Sequence, residues 1–369
     1  MVNPGRRRLL KISAASMAAA YLGNALARDR GGSDDARSLD DLYREAQAEG
    51  GRLVVYAGGD LPTAQVATEN AFRQRFPKVE IRIVTDLSKY HDSRIDLQLA
   101  RGTLECDVAH LQTLHNFERW KNEGALLRYK PIGWDAVFPD FKDHDGYYVG
   151  VTVLAFSNYV NTNLIPESQA PLDAVDYLDP RLKGQLALVY PQDDDAVLFQ
   201  FDRIVRAHGW DYMDQLMTQD VEWRRGTIPT RIYVAEGHKA ATFNVSGPLV
   251  PPSGATGKFL LPLKDSFLSW PQTGAIFKKA KHKAAARLYL SWLLDKQRIE
   301  SSPFQWSVRR DVAPPPGWQP LSHYDTDPNA FGRFMKDRAR LERLRFQFEH
   351  LIGPVVGPNP AGVQGLYVA

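Results

Sequence analysis

The chain has 369 residues, 44% hydrophobic and 24% charged, the balance of a water-soluble globular protein long enough for two lobes. Its net charge of +3 stems from Arg6, Arg7, Arg8 and Lys11. Beyond residue 27 there are 42 basic and 43 acidic residues, which excludes the basic footprint of a nucleic-acid or other polyanion partner.

Residues 5–11 (GRRRLLK), the apolar stretch 12–22 and Ala25-Leu26-Ala27 have the layout of a charged n-region, an h-region and a cleavage site. The order Arg-Arg-x-Leu-Leu-Lys resembles a twin-arginine export signal, with Leu9 where that pattern prefers Phe and Gly5 where it prefers Ser or Thr. The run 12–27 is short of a membrane span and holds Ser13, Ser16 and Asn24. The expectation is a signal peptide over 1–27, a polar linker over 28–37 and a soluble exported protein. It would be periplasmic, or secreted from a host that is not Gram-negative.

Next comes a strand–helix alternation. Ser38-Leu39-Asp40-Asp41 has the form of a capping box before a helix ended by Gly50-Gly51. Strands are expected over 52–56, 80–85 and 106–111, and helices after Pro62, over 92–101 and over 113–123. Cys106, the only cysteine, opens the third strand as a small buried thiol; it excludes an intramolecular disulfide and a thiolate cluster. This β-α-β-α-β-α order predicts a largely parallel sheet covered on both faces, with ligands beyond the carboxyl ends of its strands. Two turns lie there, carrying Tyr56, Gly59 and Asp60, and Gln112 and Thr113. Gly58 and Gly59 remove side-chain bulk beside the next helix start.

Residues 147–166 (YYVGVTVLAFSNYVNTNLIP) follow the Asp145-Gly146 turn and are rich in β-branched and aromatic residues, so they read as one extended crossing. The alternation resumes after it, which predicts a second lobe, a cleft between lobes and a hinge at the crossing. The segments FSNYVNTNLIP and LDPRLKGQLALVYPQ resemble a run found in solute-binding proteins of ABC transporters, in the branch with ferric-iron-binding and thiamine-binding periplasmic proteins. Gly124-Ala125-Leu126-Leu127 before Tyr129-Lys130-Pro131, Trp270-Pro271 before Gly274-Ala275-Ile276, and Lys279-Ala280 fall in matching order. The resemblance spans about residues 53–297. It implies the α/β two-lobe type 2 periplasmic-binding-protein fold, mixed sheets covered by helices and a ligand cleft at the hinge. The implied lobes are 38–146 with 274–369, including the C-terminal helices, and 147–273.

In the second half, helices are expected over 196–208 and 210–218 and from Gly226 to Gly237, with strands over 185–190, 221–225 and 238–245. Asp193-Asp194-Asp195 precede the first of these helices. They read either as a cap, with Asp195 at the helix start, or as an acidic wall of the cleft made by Asp193, Asp194 and Asp195. Asn244 and Ser246 end a strand where ferric-binding relatives carry adjacent tyrosines. Here Thr242-Phe243-Asn244-Val245 provides no anionic oxygen, which disfavours iron through such a pair. Tyr159 and Trp270 are candidates to cover an apolar ligand face. A strand is expected at 274–277 with Ser269, Trp270 and Pro271 in the loop before it, then helices over 281–295 and 331–352, the last with a solvated basic face.

The chain has no G-x-S-x-G, H-E-x-x-H, C-x-x-C, Walker A or G-x-G-x-x-G motif. The reading is therefore a binder and not an enzyme, with no cofactor and no metal site. Its solute would be cationic or zwitterionic, with a small anion left open, and it would deliver that solute to ABC permease subunits in the membrane. A secreted enzyme on the same scaffold, or a ferric-iron binder using other ligands, stays open.

Overall fold

The computed structural model describes residues 36–301 and 304–362. The signal peptide expected over 1–27 and linker residues 28–35 lie outside them.

Ser38 caps α1 (Leu39–Ala48) through a capping box: its hydroxyl accepts from the Asp41 amide and the Asp41 carboxylate accepts from the Ser38 amide. Then come β1 (Arg52–Gly58), α2 (Val66–Arg75), β2 (Glu80–Asp86), α3 (Ser88–Arg101), β3 (Val108–Leu111) and α4 (Leu114–Asn122), the order read from the sequence. β1 lies between β2 and β3 and is parallel to both, because each connecting helix returns the chain to the same sheet end. Cys106 is 1% exposed, and burial pushes its thiol well above the ordinary range.

The chain continues through β4 (Val149–Asn161), β5 (Ala187–Val189), α5 (Asp195–His208), α6 (Asp211–Met217), β6 (Glu222–Arg224) and α7 (Thr227–Ala235). After these come β7 (Ala241–Val245), β8 (Gly257–Leu260), β9 (Leu268–Ile276), α8 (Lys283–Leu293), α9 (Lys296–Ser301), α10 (Ala330–Lys336) and α11 (Arg338–Ile352). The main sheet runs β2-β1-β3-β9-β4-β7, with β8 also on β4. β5 and β6 form a parallel pair joined to β7 by a bridge between Leu186 and Ala241. Among the described residues no helix is long and apolar enough to cross a membrane.

β4 serves both lobes. Its first half pairs antiparallel with β9, and its second half with β7 and β8. The crossing expected over 147–166 is thus one 13-residue strand, buried along most of its length. β9 begins earlier than expected, at Leu268, and takes Ser269, Trp270 and Pro271 into the strand. A proline is tolerated because β3 joins β9 only from Thr273 onward, so Pro271 has a strand on one side alone.

The basic helix expected over 331–352 is two helices. Asp337 leaves helical geometry between them, and its carboxylate accepts from the Arg340 amide to cap α11. The basic face is also not purely solvated. Arg340 and Arg345 reach across to Asp202 and Asp195 of α5, while Phe348 packs on Phe201 and Trp210. Residues 353–362 then run back toward the first lobe. Gln192 Nε2 donates to the Gly353 carbonyl, Arg225 Nη1 to that of Gly357, and Asn359 Nδ2 to Asp86 Oδ1.

Candidate functional site

A cavity of about 620 Å³ lies beyond the carboxyl ends of β1 and β3, bounded by both halves of the chain. The ends of those strands put Gly58, Gly59 and Asp60 on one rim, and His110 and Gln112 on the floor. Small residues near and along α2, Ala64, Ala67 and Ala71, leave the space open, whereas Phe72 of the same helix is in the core. Across the cavity stand Asp194, Thr227, Ile228, Arg231 and Ser246, while β4 supplies Leu154 and Phe156 and β9 supplies Trp270. Arg298, Phe304, Gln305 and Trp306 close the remaining side.

The glycine pair serves close packing. A Cβ on Gly58 would fall 2.4 Å from Ser88 Oγ, and one on Gly59 would fall 2.8 Å from Ala64 Cβ and from Thr85 Cγ2. The Gly59 amide is spent on the Asp86 carbonyl at 3.0 Å, so it does not face a ligand. Ser88 Oγ in turn accepts from the Gln112 amide at 3.2 Å, which fixes the turn after β3.

The three successive aspartates have three separate roles. Asp193 accepts from Lys89 Nζ at 2.7 Å and from Arg225 Nε at 2.8 Å. Burial works to raise its carboxyl, but the two cations outweigh burial and hold it below the ordinary range. Asp194, and not Asp195, caps α5, accepting from the Ala196 and Val197 amides at 2.8 and 3.0 Å. Its other oxygen accepts from Gln112 Nε2 at 3.1 Å, which joins the two walls of the cavity. Asp195 turns away and pairs with Arg345, and neither it nor Asp193 lines the cavity, so of the expected three-aspartate wall only Asp194 remains.

Burial pushes the Asp194 carboxyl up to about 6, with the nearby Asp195 and Asp60 charges adding to it. A folded-state value above the unfolded one means that the folded protein holds this proton more tightly. Its contribution therefore weakens as pH rises from about 4 to 6. Over that window the wild type should lose up to about 3 kcal/mol relative to Asp194→Asn. Urea melts of both proteins at pH 4 and pH 6.5 check this; parallel pH profiles would refute it.

Of the other candidates, Tyr56 is 3% exposed, stacks on His91 and bonds to Glu105 and Gln98, away from the cavity. Tyr159 is buried beneath Gly247 and Gly257. Asn244 is fully buried and spends its amide on the Val189 amide and carbonyl, tying β7 to β5. Thr113 is 1% exposed at the start of α4 and does not line the cavity. Gly59, Asp60, Gln112, Asp194, Ser246 and Trp270 do line it.

His110, Arg231, Arg298 and Gln305 were not identified from the sequence. A strand period of two puts His110 on the same face as Gln112, a signal that was available. Both His110 ring nitrogens, Arg231 Nε, Ser246 Oγ, Gln305 Oε1 and Asp60 Oδ1 are buried without a protein partner. Burial, and secondarily Arg298, lower His110 to about 4, so its ring is neutral at pH 7 with one donor and one acceptor. A solute with polar groups could satisfy these atoms while its body packs on Phe156, Trp270, Phe304 and Trp306. Among the described residues no group of three or more His, Cys, Asp or Glu is placed to hold a metal ion.

No protein-family model matches the chain, and no curated protein matches it in sequence. Solved structures do match it in fold. Iron-bound HitA from Pseudomonas aeruginosa is similar with a TM-score of 0.63 at 17% identity, over 80% of this chain and 99% of that one. The periplasmic binding protein AfuA from Actinobacillus pleuropneumoniae, with fructose-6-phosphate bound, gives 0.66 at 19% identity, over 83% and 100%. The substrate binding protein of an ABC transporter from Agrobacterium tumefaciens gives 0.69 at 16% identity, over 82% and 94%. The fold is that of the two-lobe type 2 periplasmic binding proteins.

Proposed function

We propose that this protein is an exported solute-binding protein that captures a small molecule between its lobes and delivers it to an ABC-type permease in the membrane. The observation that carries this reading is the 620 Å³ cavity, walled from both sides and holding buried polar atoms that lack a protein partner. The size suits a small metabolite. The fold shared with binding proteins supports the same reading, and two strands, β4 and β9, joining the lobes form a hinge about which they can close.

The proposed solute is a cationic or zwitterionic organic molecule. Asp60 and Asp194 supply acceptors, Arg231 and Arg298 can meet an anionic end, and the aromatic residues offer an apolar face. Ferric iron fits poorly: Thr242, Phe243 and Asn244 are buried without an anionic oxygen among them. Binding at 100 times the dissociation constant should add about 2.7 kcal/mol to folding stability. A thermal-shift screen over amines, amino acids, sugar phosphates and metals checks this, with native mass spectrometry of protein taken from its host's periplasm. No stabilising solute and no co-purifying mass would sink the proposal. Uptake of the identified solute should also fall when the chain is removed from the host.

A further inference from the structure

The start of α7 has the features of an anion site, and the protein fills it itself. Gly226 precedes the helix and provides no side-chain cap, so the first amides of this nine-residue helix must be met from elsewhere. They are met by Asp60, which follows β1 on the opposite wall of the cavity. Asp60 Oδ2 accepts from the Thr227 amide, from the Thr227 hydroxyl at 2.8 Å and from the Ile228 amide at 3.1 Å. The positive end of the helix favours a negative charge at this point. Asp60 is only 6% exposed, and its second oxygen, Oδ1, is buried without a protein partner in a residue that lines the cavity.

We propose that Asp60 is a specificity-determining residue of the cleft: its carboxylate takes the anion position at the start of α7, so that the cleft rejects solutes held by a small anionic group there. The free oxygen then selects a solute that donates a hydrogen bond or carries a positive charge. The proposal rests on the solute-binding reading above. An incoming phosphate would have to displace a carboxylate that already holds three donors. It would also have to leave that carboxylate buried beside a second negative group. An ammonium or amidinium needs no displacement, since Asp60 Oδ1 is ready to accept from it.

The test uses inorganic phosphate as the probe, measured by isothermal titration at neutral pH and low salt with wild type, Asp60→Ala and Asp60→Asn. Wild type should bind it at least 100-fold more weakly than the alanine variant, whose vacated helix start is open. The asparagine variant should resemble wild type, because its amide oxygen still occupies the position. Equal phosphate binding by wild type and D60A overturns the proposal. So does a folded D60A that binds no phosphate, or a D60N that gains as much as D60A. If D60A does not fold, Asp60→Ser vacates most of the position and is read by the same criteria. Phosphate binding requires no knowledge of the natural solute, so failure here and failure of the solute screen are separate results.

Discussion

Alanine at Arg345 should remove about 3–5 kcal/mol of folding stability, the usual loss when one partner of a buried ion pair is deleted. Asp195, its partner on α5, has a side chain only 3% exposed, whereas Arg345 keeps 25% of its own. Deleting the cation therefore strands a carboxylate in the protein while water reaches it poorly. The neighbouring pair of Arg340 with Asp202, also 3% exposed, does not reach Asp195 and cannot compensate. Removing both charges is different: Asp195→Asn with Arg345→Leu should recover most of the loss, since no buried charge is left unpaired. Urea denaturation of the single and double variants measures this. A loss under 1 kcal/mol in R345A would mean that Asp195 finds water or another donor once the arginine is gone.

The second large effect is expected at Trp270. This side chain is fully buried in β9, where it meets Phe156 edge-to-face at 4.8 Å and Phe331 at 5.4 Å between ring centres. Phe156 belongs to β4 and Phe331 to α10, so one indole joins the crossing strands to the C-terminal helices. Trp270→Ala should cost about 3–5 kcal/mol, as large aromatic truncations in well-packed cores do. Trp270→Phe keeps an aromatic edge and should cost less than half of that. Because Trp270 also lines the cavity, W270A should weaken solute binding beyond its effect on stability. Chemical denaturation gives the first quantity and titration of the identified solute the second. Equal stability of the alanine and phenylalanine variants would show that the ring contacts contribute little.

Much of the fold was legible because it is written in local periods. The strands and helices from α1 to α4 appear in sequence order, and β4 announces itself as a long β-branched run after a turn. β9 was partly hidden, since Pro271 reads as a strand breaker until one sees that only β4 lies beside it. The split between α10 and α11 was hidden for a similar reason. The apolar stripe continues across Asp337, and only a cap interaction shows the break.

The site was less legible, because its residues meet from distant parts of the chain. The run Asp193-Asp194-Asp195 looks like one acidic feature, yet it divides among Lys89 and Arg225, the cavity, and Arg345. Nothing near these residues in sequence separates those fates. Tyr56 and Tyr159 have the chemistry of ligand-facing residues, but each is claimed by packing within its own part of the fold. Conversely, Arg231 and Arg298 look like ordinary helical arginines until tertiary structure brings them to one cavity.

The clamp of α11 on α5 has a temporal side. Asp195 waits for a partner 150 residues further along the chain, whereas Asp202 already has Arg206 one turn along α5 at 3.2 Å. At synthesis rates of about 5–20 residues per second, that delay is roughly 8–30 s. During it, burying Asp195 would cost more than leaving it in water. The half-made chain thus has an electrostatic reason to postpone packing of α5, and α11, made much later, is the helix that lets the second lobe set.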